Sequence, residues 1–102
     1  MIDLTPKFSR PRPNVIESDA GYSVERVGRD GLRYQEGGRS ILISSEMLGH
    51  DNLFKGFVIY TDSIKNWDLP DGSRITKQER DRIVNNIRLA LASQDESLEI
   101  DY

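Results

Sequence analysis

Residues 32–44, LRYQEGGRSILIS, decide the fold. On one side of Gly37-Gly38, the residues Leu32, Tyr34 and Glu36 fall on a single face of an extended run; on the other side Ile41 and Ile43 do the same. A period of two is that of a half-buried strand. The paired glycines supply the positive φ values that a two-residue hairpin turn requires. The stretch predicts an antiparallel pair with an apolar side that another element must cover.

Working outward, Tyr22 to Val27 and Phe57 to Thr61 are rich in β-branched and aromatic residues and are bounded by turn signals. Four strands are expected, at Tyr22 to Val27, Leu32 to Glu36, Ser40 to Glu46 and Phe57 to Thr61, with Asp30-Gly31 as the first tight turn. Leu48 to Lys55, with Gly49, Asp51 and Asn52, reads as a longer loop. Leu69-Pro70-Asp71-Gly72 fits a type I turn.

The cover for the sheet follows. Thr76 and Glu79 form a capping box that starts a helix at Lys77, and Ile83, Val84, Ile87, Ala90 and Leu91 recur at spacings of three and four. Beyond Ser93 and Gln94, where the helix fades, Leu98, Ile100 and Tyr102 alternate with Glu99 and Asp101 as a final half-buried strand would. The fold class expected is α+β: an antiparallel meander of four to five strands with one C-terminal amphipathic helix on one face. Residues 1–19 carry Pro6, Pro11 and Pro13 and read as an N-terminal arm before a single domain at 20–102. At 102 residues the chain has room for one core.

Composition narrows the chemistry. With no cysteine, the chain has no disulfide or thiolate site, and with one histidine it has no multi-histidine metal site. That histidine, His50, sits in the polar loop without a nucleophile motif. Carboxylate pairs such as Asp62 with Asp68, or Asp30 with Glu36, lack the enclosed volume that would drive their pKa values apart. Gly37-Gly38 joins two strands and opens no helix, so it is not a phosphate cradle. No catalytic residue, cofactor or metal is expected. A net charge of −3 is opposite to the basic field of a nucleic-acid binder. No apolar run reaches the ~18 residues of a membrane span, and the N-terminus lacks a signal peptide's apolar core, so a soluble, cytoplasmic chain is expected.

Residues suited to a protein interface stand out instead. Trp67, near Tyr60 and Asp68, is either a contact residue or a core residue closing the end of the sheet. The last eight residues hold Asp95, Glu96, Glu99 and Asp101 with no Lys or Arg, which makes that end either a protected edge or a docking strip for a basic partner.

The order of these pieces resembles the immunity proteins of bacterial polymorphic toxin systems, most nearly the immunity protein 74 family. The similarity runs over roughly residues 22–101 and is carried by Tyr34 with Glu36 and Gly37, by Glu46, by Tyr60 with Ser63 and Ile64, by Trp67 with Pro70, and by Ile75-Thr76 ahead of Arg80 to Ile87. The resemblance implies a non-enzymatic protein that binds and neutralises a cognate toxin made by the same cell or its siblings, as in contact-dependent inhibition. The partner-binding residues expected are Glu46, Tyr60, Asp62, Trp67, Asp68, Glu99 and Asp101, which suit a basic toxin such as a nuclease. The chain is expected as a monomer or homodimer. Two other readings stay open: an adaptor using a strand edge at Leu98 to Tyr102 or Tyr22 to Val27, and an enzyme built around Tyr60, Asp62 and Trp67.

Overall fold

The computed structural model describes residues 7–48 and 56–101. His50 and most of the expected loop at Leu48 to Lys55 lie outside the described residues, as does Tyr102. In chain order the elements are β1 (Phe8–Arg12), β2 (Val15–Ser18), β3 (Tyr22–Val27), β4 (Gly31–Glu36), β5 (Arg39–Leu48), β6 (Gly56–Tyr60), a 3₁₀ turn (Thr61–Ser63), α1 (Lys77–Ala92) and β7 (Ser97–Asp101). The seven strands lie side by side in sequence order as one sheet.

The α+β class holds, but the sheet is larger than the four to five strands expected. Two of the additional strands come from the segment read as an arm. β1 pairs antiparallel with β2, and β2 with β3. Pro11 is tolerated because β1 is an edge strand, where a missing N–H breaks no ladder, and Pro13 falls in the connecting turn. Val15 and Ile16 are buried, so this hairpin belongs to the fold.

The sheet is also not a pure meander. β6 and β7 pair in parallel, because the chain crosses over through α1 between them. The turn between β3 and β4 differs from expectation as well. Val27 pairs with Gly31, which leaves three residues in the turn, with Gly28 taking the left-handed conformation (φ +64). Gly31 is instead a strand residue, and a Cβ there would lie 3.1 Å from the Leu42 side chain. The Gly37-Gly38 turn is as expected, with Glu36 paired to Arg39 and φ values of +55 and +80.

α1 starts and caps as its sequence requires. Thr76 Oγ1 accepts from the Glu79 N–H at 3.1 Å, and the Glu79 carboxylate accepts from the Thr76 N–H at 3.0 Å. Its buried residues are Ile83, Val84, Ile87, Ala90 and Leu91, the stripe expected. Each large side chain buried contributes roughly 1.5–3 kcal/mol before entropy is subtracted. The stripe meets Val24, Leu32, Tyr34, Ile41, Ile43, Phe57 and Ile59 from alternate positions of β3 to β6.

β5 ties two halves of the sheet together. Residues 39–44 pair with β4, and residues 45–48 pair with β6. The other side of the first half has no strand, and the chain after β6 supplies its hydrogen bonds. Ser63 Oγ accepts from the Ser44 N–H at 3.0 Å, Asp68 Oδ2 from the Leu42 N–H at 2.7 Å, and the Leu69 carbonyl from the Ser40 N–H at 3.2 Å. These bonds hold the irregular stretch between β6 and α1 against the sheet and carry Trp67 into the core.

Candidate functional site

Two constellations are formed by residues distant in sequence. The first joins sheet to helix. Glu36, at the end of β4, accepts hydrogen bonds from the Tyr34 hydroxyl (2.5 Å), Arg39 Nη2 (3.2 Å) and Arg82 Nε (3.2 Å), and Arg82 Nη2 adds a further close contact. Arg39 also donates to Glu79 at 2.9 Å, and its guanidinium stacks 4.4 Å above the centre of the Trp67 ring. Asn86 donates to the Tyr34 hydroxyl at 2.8 Å. Beneath the charges runs an aromatic ladder of Phe8, Tyr22, Tyr34 and Trp67, with successive ring centroids 6.3, 5.8 and 6.3 Å apart.

The electrostatics mark this cluster as a clamp. Burial by itself would raise the Glu36 pKa, but the hydrogen bonds from Arg82 and Tyr34 outweigh it and hold the carboxyl below its ordinary value. Glu79 is likewise lowered, first by the Thr76 backbone N–H, with Arg39 adding to the effect. Tyr34 is pushed far up by burial and by the neighbouring Glu36. The Tyr34 phenol and the paired carboxylates tie α1 to the sheet through Asn86, Arg82 and Arg39. They fix the register of α1 on the sheet.

The second constellation lies on the opposite side of the sheet, which α1 does not cover. Glu46 pairs in register with Val58, and Val58 with Glu99; Tyr60 pairs with Asp101. Residues directly opposite or two apart on one strand share a face, so Glu46, Val58, Tyr60, Glu99 and Asp101 form one surface. Glu46, Glu99 and Asp101 are exposed, and Val58 and Tyr60 are half-buried. Hydrogen bonding to Glu46 raises the Tyr60 pKa, and the charges of Glu46 and Asp101 add to the rise. Asp62, exposed in the 3₁₀ turn, follows directly.

The expected interface residues therefore divide. Glu46, Tyr60, Glu99 and Asp101 come together on one face, and Asp62 follows Tyr60 in the 3₁₀ turn. Asp68 is exposed, but its carboxylate is engaged by the Leu42 N–H. Trp67 is 0% exposed, packed between Tyr34 and Arg39, and has no surface to offer a partner. That corrects its inclusion among contact residues. The clamp was not anticipated, although its signal was available: Glu36 shares a face with Leu32 and Tyr34, and a carboxylate on an apolar face requires a cation from the packing layer. Among the described residues no group of His, Cys, Asp or Glu is arranged to hold a metal, and no helix is long and apolar enough to cross a membrane.

With this geometry in place, comparison with known proteins is decisive on class. The family model Immunity protein 74 matches residues 26–101, and the chain belongs to that family. The match begins within β3, so the β1–β2 hairpin and most of β3 precede it. No curated protein and no solved structure gave a match.

Proposed function

We propose that this chain is a non-catalytic immunity protein that binds a cognate toxin domain and neutralises it by covering its active site or an exosite. Membership of the Immunity protein 74 family supports the class. The observation that carries the reading further is the uncovered acidic face of β5, β6 and β7, where Glu46, Glu99 and Asp101 surround Tyr60 and Val58. An aromatic centre ringed by charge is the composition of an interface with a few dominant contacts, and the negative field speeds encounter with a basic partner. A toxin that binds phosphates, such as a nuclease, presents the Lys and Arg side chains this face fits.

The test is co-expression with the toxin domain encoded beside this chain, scoring survival and co-purification together. Rescue with a stable complex is expected, and killing despite soluble expression of both chains overturns the pairing. A second reading, strand addition at β7, rests on the position of β7 at the sheet edge. Proline substitutions in β7 that abolish binding, where side-chain reversals do not, would favour it.

A further inference from the structure

A cleft of about 290 Å³ opens between α1 and the end of β6, on the side of the sheet that α1 covers. Its floor is Thr61 and Val84, both buried, and its walls carry Arg80, Asp81, Asn85 and Arg88. Arg80, Val84 and Arg88 recur every four residues and so stand in one row along the helix, with Asp81 and Asn85 in the next. Among the described residues the carboxylates that pair with guanidinium groups, Glu25, Glu36 and Glu79, take Arg12, Arg33, Arg39 and Arg82; none pairs with Arg80 or Arg88. The cleft thus holds two unpaired planar donors and an amide around Thr61 and Val84, unlike the clamp, where the guanidinium groups are matched by carboxylates.

We propose that this cleft receives a carboxylate side chain of the toxin domain, as the second half of a bipartite interface; the inference rests on the function proposed above. The two halves lie on either side of the sheet and meet at the end of β6, where Tyr60 belongs to the acidic face and the next residue, Thr61, lines the cleft on the α1 side, so a partner that reaches round this end touches both. Thr61 Oγ1 also donates to the Asp101 carbonyl at 3.2 Å, which fixes the end of β7 against the cleft. Charge selects the ligand. Arg80 and Arg88 with Asp81 leave one positive charge in excess, which one carboxylate neutralises. A polyphosphate or nucleic acid carries more negative charge than this excess balances, and Asp81 in the cleft wall repels the remainder. A guanidinium binds a carboxylate through two parallel N–H donors, which fixes orientation as well as supplying attraction. The partner surface is therefore a basic patch with a single Asp or Glu at its margin. Such a pattern discriminates against toxins that are uniformly basic.

The experiment titrates the toxin domain against the purified full-length chain and three variants: the double reversal Arg80→Glu with Arg88→Glu, the double replacement Arg80→Lys with Arg88→Lys, and Lys77→Glu as a reversal on the same helix outside the cleft. Thermal unfolding checks that each remains folded. The double reversal is expected to weaken binding about 30-fold or more, the lysine pair to lose part of that, and Lys77→Glu to change it less than about threefold. Equal weakening by Lys77→Glu and the double reversal, or none by the double reversal, overturns the cleft and leaves the immunity function standing. No complex with the unaltered chain overturns the function itself.

Discussion

Gly56 and Ser97 stand opposite each other where β6 and β7 begin their parallel pairing, and a Cβ on Gly56 would overlap the Ser97 carbonyl oxygen and lie 2.7 Å from its nitrogen. Gly56 also has φ +152, a backbone conformation that L side chains rarely adopt. Strain and overpacking each cost about 1–3 kcal/mol, and here the obstacle is backbone, which cannot swing aside. Gly56→Ala is expected to destabilise the protein by about 3 kcal/mol or more and to detach β7, read as faster amide exchange at Leu98 and Ile100. Gly31→Ala serves as the contrast. A Cβ there meets the Leu42 side chain at 3.1 Å and the Val27 carbonyl at 3.2 Å, so the loss should be smaller.

The paired carboxylates of the clamp set the acid sensitivity. Glu36 and Glu79 both have folded pKa values below the ordinary 4.5, so they stabilise the fold above that value, and their contribution disappears as pH falls through the folded pKa values. Glu96 acts in the other direction: burial raises its pKa against the pull of Arg10 and Arg26, so its protonation favours the fold as pH falls. Thermal midpoints should drop between roughly pH 5 and pH 3. Glu36→Gln should flatten that drop, and Glu96→Gln should steepen it. A profile for Glu36→Gln parallel to the parent protein would count against the clamp as its origin.

How far the sequence could reach depended on the range of each interaction. β3 to β6 and α1 were legible because alternation, glycine turns and a capping box act within a few residues. The β1–β2 hairpin was not, since prolines argue against strands in general and are allowed at the edge of a sheet whose extent no local pattern reveals. The parallel pairing of β7 likewise depends on where α1 lands. In the candidate site, Glu46, Tyr60, Glu99 and Asp101 were visible as surface residues, but their union on one face comes from strand register. The clamp spans 46 residues between Glu36 and Arg82 and announced itself only through the misplaced charge of Glu36.

Asp68 offers a test that separates support of the fold from contact with a partner. Its carboxylate is the acceptor for the Leu42 N–H at 2.7 Å on a side of β5 that no strand covers. Asp68→Ala leaves that donor to solvent and is expected to cost about 1 kcal/mol, whereas Asp68→Asn keeps an acceptor and should cost less. Chemical denaturation measures both. If toxin affinity falls more for Asp68→Asn than stability does, the side chain also touches the partner.

The acidic face makes the sharpest prediction about function, because its residues carry little of the fold. Glu46, Glu99 and Asp101 are exposed and Tyr60 is half-buried, so reversing one charge should leave the unfolding transition nearly unchanged. Exposed charges at an interface act chiefly on encounter, while a central aromatic side chain acts on the lifetime of the complex. Single reversals such as Glu99→Lys should therefore lower the association rate with the toxin domain, and the difference from the parent chain should shrink as salt is raised. Tyr60→Ala should speed dissociation by about 30-fold or more at any salt concentration. Stopped-flow or surface-based kinetics at two ionic strengths distinguishes the two effects. Charge reversals that leave both rates and cell protection intact would place the toxin on another face.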